Sequence, residues 1–145
     1  MIEQVMSALQ YLKQHNISHG DIQPRTILFG PNDEFKITDV QFLTNGMCGY
    51  RKHLAGIETE CFLAPELLQP LRRQNVLTNG EIDEERADIF SLGLVALAAS
   101  ILQSVESVYN FEDYCLREEE MLNHLDLVKT HYSNDLYLLL VSMLN

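Results

Sequence analysis

From Ile89 to Leu102 the chain carries no charge, and apolar residues would fall on every face of a helix formed by this run. A helix that is apolar all round is either a membrane span or the centre of a core. A span needs roughly 20 consecutive apolar residues. This run is shorter, is interrupted by Ser91, Gly93 and Ser100, and has acidic sequence ahead of it. It therefore predicts a helix enclosed by other elements of the same chain, with Asp88 at its start.

The rest of the composition allows such a core. The 145 residues are 46% hydrophobic and 21% charged, which suits one domain of common size with no need for staples. Ten Lys+Arg stand against 21 Asp+Glu, a formal net charge of −11. That balance argues against nucleic acid or an anionic membrane as a partner, since both reward a basic surface. Cys48, Cys61 and Cys115 are far apart and odd in number, and no Cys-x-x-Cys pair or Cys/His cluster suggests zinc. A reducing, intracellular and cytoplasmic setting is the expectation. The N-terminus lacks the basic, apolar, small-residue order of a signal peptide.

Ile2, Val5, Met6, Leu9 and Leu12 recur at helical spacing, predicting an amphipathic helix from the first residue to about His15. No capping residue stands ahead of it, so it is expected to begin within a larger architecture. Residues 17–25 are too polar and interrupted for a strand or helix. Thr26–Phe29 and Phe35–Thr38 alternate around the turn formers Gly30-Pro31-Asn32-Asp33, predicting a hairpin. Residues 39–64 show little periodicity and read as a long functional loop. Pro65 suits a first helical position before Glu66-Leu67-Leu68. Residues 69–85 read as a polar connector. Beyond the central helix, Glu112–Leu125 is predicted helical, with Tyr109, Phe111 and Tyr114 as packing residues. Asn134-Asp135 are expected to cap a last apolar helix over 136–144.

Four stretches carry a chemistry. His19-Gly20-Asp21-Ile22-Gln23-Pro24-Arg25-Thr26 resembles the catalytic loop of the eukaryotic protein kinase family, in which Asp is the base and Asn binds magnesium. Lys36-Ile37-Thr38-Asp39-Val40-Gln41 is similar to the strand and metal-binding D-F-G that follow that loop. Phe62-Leu63-Ala64-Pro65-Glu66 keeps the A-P-E that ends the activation segment. Asp88-Ile89-Phe90-Ser91-Leu92-Gly93 is similar to the D-x-W-S-x-G that opens the family's central helix, with Phe for Trp. Each motif is weak alone, but four in the family's order are specific, and the resemblance covers nearly the whole chain, from the helix before the catalytic loop to the penultimate helix of the large lobe.

The resemblance implies a mainly α fold with a short β-hairpin, the C-terminal large lobe of a protein kinase, with residues 1–145 as one partial domain. It implies Asp21 at the base position and Asp39 at the magnesium position. Gln23, Thr26 and Leu28 fall on the nucleotide side. Structural roles are implied for three residues: His19 as a core histidine beside Val40, Asp88 as a buried acceptor facing the catalytic-loop backbone, and Glu66.

The departures point toward lost chemistry. Gly20 replaces the Arg that would pair with an activation-loop phosphate. Thr44, Tyr50 and Thr59 are accordingly read as unmodified loop residues. Gln23 stands where a Lys or Thr contacts the transferring phosphate. Thr26 replaces the magnesium-binding Asn, and a hydroxyl is a poorer magnesium ligand. Val40-Gln41 replace Phe-Gly, and Glu60 stands where a small residue or Pro is usual. No G-x-G-x-x-G occurs in the chain. The reading is a catalytically impaired, pseudokinase-like large lobe that binds a protein partner, a kinase or a small lobe among the candidates. The alternative is part of an active serine/threonine kinase using ATP and Mg2+. A third reading discards the resemblance for an α-rich binding domain without a nucleotide site. Neither ATP nor Mg2+ is expected to bind these residues alone. The apolar surface that meets a small lobe is expected to make the chain self-associate.

Overall fold

The computed structural model describes residues 1–38, 61–68 and 82–145. Its centre is α2 (Glu84–Ile101), the helix that contains the uncharged run. Ala87, Asp88 and every residue from Phe90 to Leu97 are buried. α1 (Ile2–Gln14), α3 (Glu118–His131) and α4 (Asn134–Met143) all pack on it. Each supplies a narrower apolar stripe: Val5 from α1, Met121, Leu125 and Val128 from α3, Leu140 and Met143 from α4. An all-round apolar helix thus acquires neighbours on several sides, as its composition requires. No described helix is long and apolar enough to cross a membrane.

The α2–α4 contact is close at Gly93. A Cβ on Gly93 would stand 3.0 Å from both Met143 Cβ and Leu144 Cδ2, so the glycine permits a close helix crossing. Asp83 caps α2 by accepting from Arg86 N at 3.1 Å. The helix therefore begins four residues before Asp88 and absorbs the end of the stretch expected to be connector. The remainder of that stretch, 69–81, lies outside the described residues.

Strands β1 (Ile27–Phe29) and β2 (Phe35–Ile37) form the expected hairpin, with Ile27 opposite Ile37 and Phe29 opposite Phe35. Thr26 is not part of the strand. It closes a single 3-10 turn, Pro24–Thr26, that delivers the catalytic-loop stretch into the sheet. Pro65–Leu68 is helical from the proline onward, as its missing N–H allows.

Two further boundaries differ from the sequence expectation. Residues 112–117 are not helical: β3 (Tyr109–Asn110) pairs antiparallel with β4 (Cys115–Leu116), and α3 starts only at Glu118. The cause is Asn110, whose Oδ1 accepts from Glu112 N and Asp113 N while its Nδ2 donates to Asp113 Oδ2. Such side-chain bonds offer the backbone an alternative to the helix. Tyr114 then turns the chain with a left-handed φ of 55°. Tyr109 stacks on Phe111 with ring centroids 5.4 Å apart, in keeping with packing roles. At α4 the cap is Ser133, accepting from Leu136 N, rather than Asn134-Asp135, which form the first turn. The described residues are mainly helical with two small antiparallel hairpins, the fold class the motifs implied.

Candidate functional site

The site is built on the polar stretch between α1 and β1. α1 ends because Asn16 adopts φ 55° and the N–H groups of His15, Asn16 and Ile17 return to the carbonyls of Leu12 and Lys13. The chain then runs over the first turns of α2. Ser18 donates to Glu84 Oε2 at 2.9 Å. Asp88 accepts from His19 N at 2.6 Å and from Gly20 N at 2.8 Å, one bond to each carboxylate oxygen. Burial pushes the Asp88 carboxyl up to about 6, against the pull of those two donors; Glu84 and Asp21 nearby push the same way. Gly20 has φ 76°, a conformation natural to glycine, so its identity suits the backbone path as well as removing a guanidinium. That conformational demand was not visible in the sequence motif.

His19 is fully buried. Its Nε2 lies 3.0 Å from the Thr38 carbonyl and its Nδ1 3.2 Å from Asp21 N. A carbonyl can only accept and a backbone N–H can only donate. Nε2 therefore carries the proton and Nδ1 is the acceptor, a neutral tautomer held at both nitrogens. The ring ties the catalytic loop to the strand end immediately before Asp39. Asp39, Val40, Gln41 and Glu60 themselves lie outside the described residues, as do Thr44, Tyr50 and Thr59.

Asp21, Gln23 and Thr26 come together as a buried group. Gln23 Nε2 donates to Asp21 Oδ1 at 2.6 Å. Arg25 donates to Gln23 Oε1 through Nε at 3.3 Å and Nη2 at 3.2 Å. A guanidinium has no acceptor, so it selects the amide oxygen and leaves the NH2 group to face Asp21. The Thr26 hydroxyl accepts from Gln23 N at 3.1 Å, and the Asp21 and Gln23 carbonyls lie 2.8 and 3.0 Å from it. Its one proton and a lone pair are committed to the loop backbone. The hydroxyl is 4% exposed, and its bonds stay within the loop. Gln23 brings no positive charge for a phosphate. Among the described residues no group of three or more His, Cys, Asp or Glu could hold a metal. Leu28 is exposed on β1, paired with Lys36.

The Ala64-Pro65-Glu66 stretch is anchored by its neighbours. Phe62, Ala64 and Leu68 are buried, whereas Glu66 is exposed and has no ion pair among the described residues. Tyr109 donates to the Leu63 carbonyl at 2.8 Å, fixing the segment to the base of the β3–β4 hairpin. Sequence reading placed Tyr109 in the packing but had no signal for a partner 46 positions away. Cys61 lies beside it, and burial pushes that thiol up to about 11, which favours the protonated thiol at neutral pH.

A family model described as protein kinase domain matches residues 1–144. The chain belongs to the protein kinase domain family. Serine/threonine-protein kinase max-2 of Caenorhabditis elegans is 30% identical over 97 residues, covering 67% of this chain and 13% of that protein. An Aurora kinase of Encephalitozoon cuniculi is 32% identical over 94 residues, 65% of this chain and 30% of its own length. The dual specificity mitogen-activated protein kinase kinase jkk-1 of C. elegans is 32% identical over 115 residues, 77% and 23% respectively. The match thus spans less than a third of each of these relatives.

Proposed function

We propose that residues 1–145 form one partial protein kinase-like domain, catalytically impaired, that acts by binding another protein. The observation that carries this reading is the amide of Gln23 lying 2.6 Å from Asp21 Oδ1, with Arg25 fixing its orientation. Phosphoryl transfer depends on positioning and charge neutralisation around the phosphates. Here the base-position carboxylate is engaged by a neutral neighbour, and the hydroxyl at the Asn position is bonded to the loop itself. A buried loop with such internal bonding is suited to holding a shape. An intracellular, cytoplasmic setting belongs to the same reading, with Cys61 and Cys115 free thiols.

The test is calorimetric titration with ATP and Mg2+, followed by a phosphate-transfer assay on a generic protein substrate. The impaired reading expects neither binding nor transfer. Transfer that disappears in Asp21→Asn would overturn it.

A second reading, part of an active serine/threonine kinase requiring ATP and Mg2+, is favoured by one specific observation. Asp88 and His19 hold the loop around Asp21 through three directed bonds, the support a working base would need. Under that reading Gln23→Lys and Thr26→Asn together raise transfer; under the first they leave it at background.

A further inference from the structure

A groove of about 570 Å³ runs between α1 and the start of α2. We propose that this groove docks a cationic amphipathic helix of a partner protein, a surface that rests on the protein-binding reading above and gives it a place. The floor is apolar: Met6 and Leu9 from α1, Ile17 from the loop and Ile89 from α2. The volume lies within the range of about 300–1,000 Å³ in which proteins bury ligands.

Three features select the occupant. The walls are two helices, whose backbone groups bond within themselves, so no strand edge is offered for an extended peptide to join. The polar groups inside the groove are already engaged: Ser18 with Glu84, Asp88 with His19 and Gly20. Affinity must therefore come from apolar side chains at helical spacing, the helix-in-groove mode. The rim supplies the sign of charge. Lys13 is ion-paired to Glu85, and Glu3 at the opposite end has no ion pair among the described residues. Among the described lining residues the excess is negative, as it is over the whole chain, at −11. An acidic rim repels anionic lipid headgroups and attracts Lys or Arg flanking an apolar face. A second copy of this chain does not meet that description. Among the described helices, α4 has no Lys or Arg and α3 opens with three glutamates.

The probe is a fluorescein-labelled synthetic helix of about 14 residues, with Leu at i, i+3, i+4 and i+7 and Lys on its flanks. It is titrated against the full chain by fluorescence anisotropy, beside a matched peptide with Glu for Lys. Saturable binding of the Lys peptide is expected, at least about tenfold tighter than the Glu peptide. Glu3→Lys and Gln10→Lys, both exposed rim positions on α1, each weaken it about three- to tenfold. Glu119→Lys, equally exposed on α3 and outside the groove, leaves it unchanged. These surface variants retain the wild-type circular dichroism melt. Equal affinity for the two peptides, no binding at all, or equal weakening by Glu3→Lys and Glu119→Lys would each overturn the proposal. All arms are read without nucleotide. Loss of docking thus leaves the impaired-kinase reading standing, and phosphate transfer sinks that reading without touching the docking result.

Discussion

The loop that carries Asp21 has two sides, and they differ. One is a framework: Asp88 of α2 bonds two successive N–H groups, and His19 is held at both ring nitrogens by Thr38 and the loop itself. The opposite side carries the positions to which the motif resemblance assigns the reaction, and there the residue types depart from the motif. Gln23 stands over Asp21, and Thr26 bonds to the backbone around it. The framework is made of buried groups whose loss leaves orphaned donors. The reaction side is made of groups that can be exchanged for other hydrogen-bonding side chains. Substitutions on the second side can therefore leave the family's fold in place, because the fold rests on the first.

The sharpest way to break that contrast is Asp88→Ala. It leaves the buried His19 N–H and the part-buried Gly20 N–H without acceptors, and removing such a charged acceptor costs about 3–5 kcal/mol. Urea denaturation should show that loss in full. A change under about 1 kcal/mol would mean that the framework side is as replaceable as the other.

The second test is pH. The folded-state value for Asp88 is raised from 3.8 to about 6. A carboxyl raised on folding binds its proton more tightly in the native state. Its favourable contribution is complete below about pH 4 and fades as the pH rises through about 6. The full swing from this group is on the order of 2–3 kcal/mol. Melting at pH 5 should therefore occur at a higher temperature than at pH 7.5. The difference should shrink in Asp88→Asn, which cannot titrate. A wild-type melt that falls on acidification over that interval would contradict the placement of Asp88.

How much of this was legible follows the same division. The central helix announced itself, because an uncharged run too short for a membrane has only one place to go. The loop and the A-P-E stretch were legible as motifs, since their spacing survives substitution. The orientation of Gln23 was not. It depends on Arg25 folding back two residues, a rotamer choice that residue types do not encode. The β3–β4 hairpin was missed for a different reason. Acids and leucines over 112–125 mimic helical spacing, yet Asn110-Phe111-Glu112-Asp113 contained the Asn turn signal that breaks it. The Tyr109–Leu63 bond joins residues from separate motifs and had no local signature. Asp39, expected across from Asp21, lies outside the described residues.

Gly93→Val sharpens the comparison from the core. The first added carbon would already meet Met143 and Leu144 at 3.0 Å. Overpacking of this kind costs about 1–3 kcal/mol. The chemical readouts of the site should not move, since Gly93 lies more than a helical turn beyond Asp88. A denaturation midpoint equal to wild type would show that α4 slides freely on α2.

The smallest effect is expected at Gln23→Ala, and its smallness is the point. The substitution removes the donor to Asp21 and the acceptor for Arg25. Arg25 is exposed, so water replaces its lost partner, and Asp21 keeps its place through the backbone bond to His19. The expected loss is about 0.5–1.5 kcal/mol, well below that of Asp88→Ala. Equal losses from the two variants, measured in the same urea series, would erase the distinction between the framework and reaction sides. A near-neutral Gln23→Ala beside a crippling Asp88→Ala would establish it. The loop would then be held by what lies beneath it, leaving the residues above it open to change without loss of the fold.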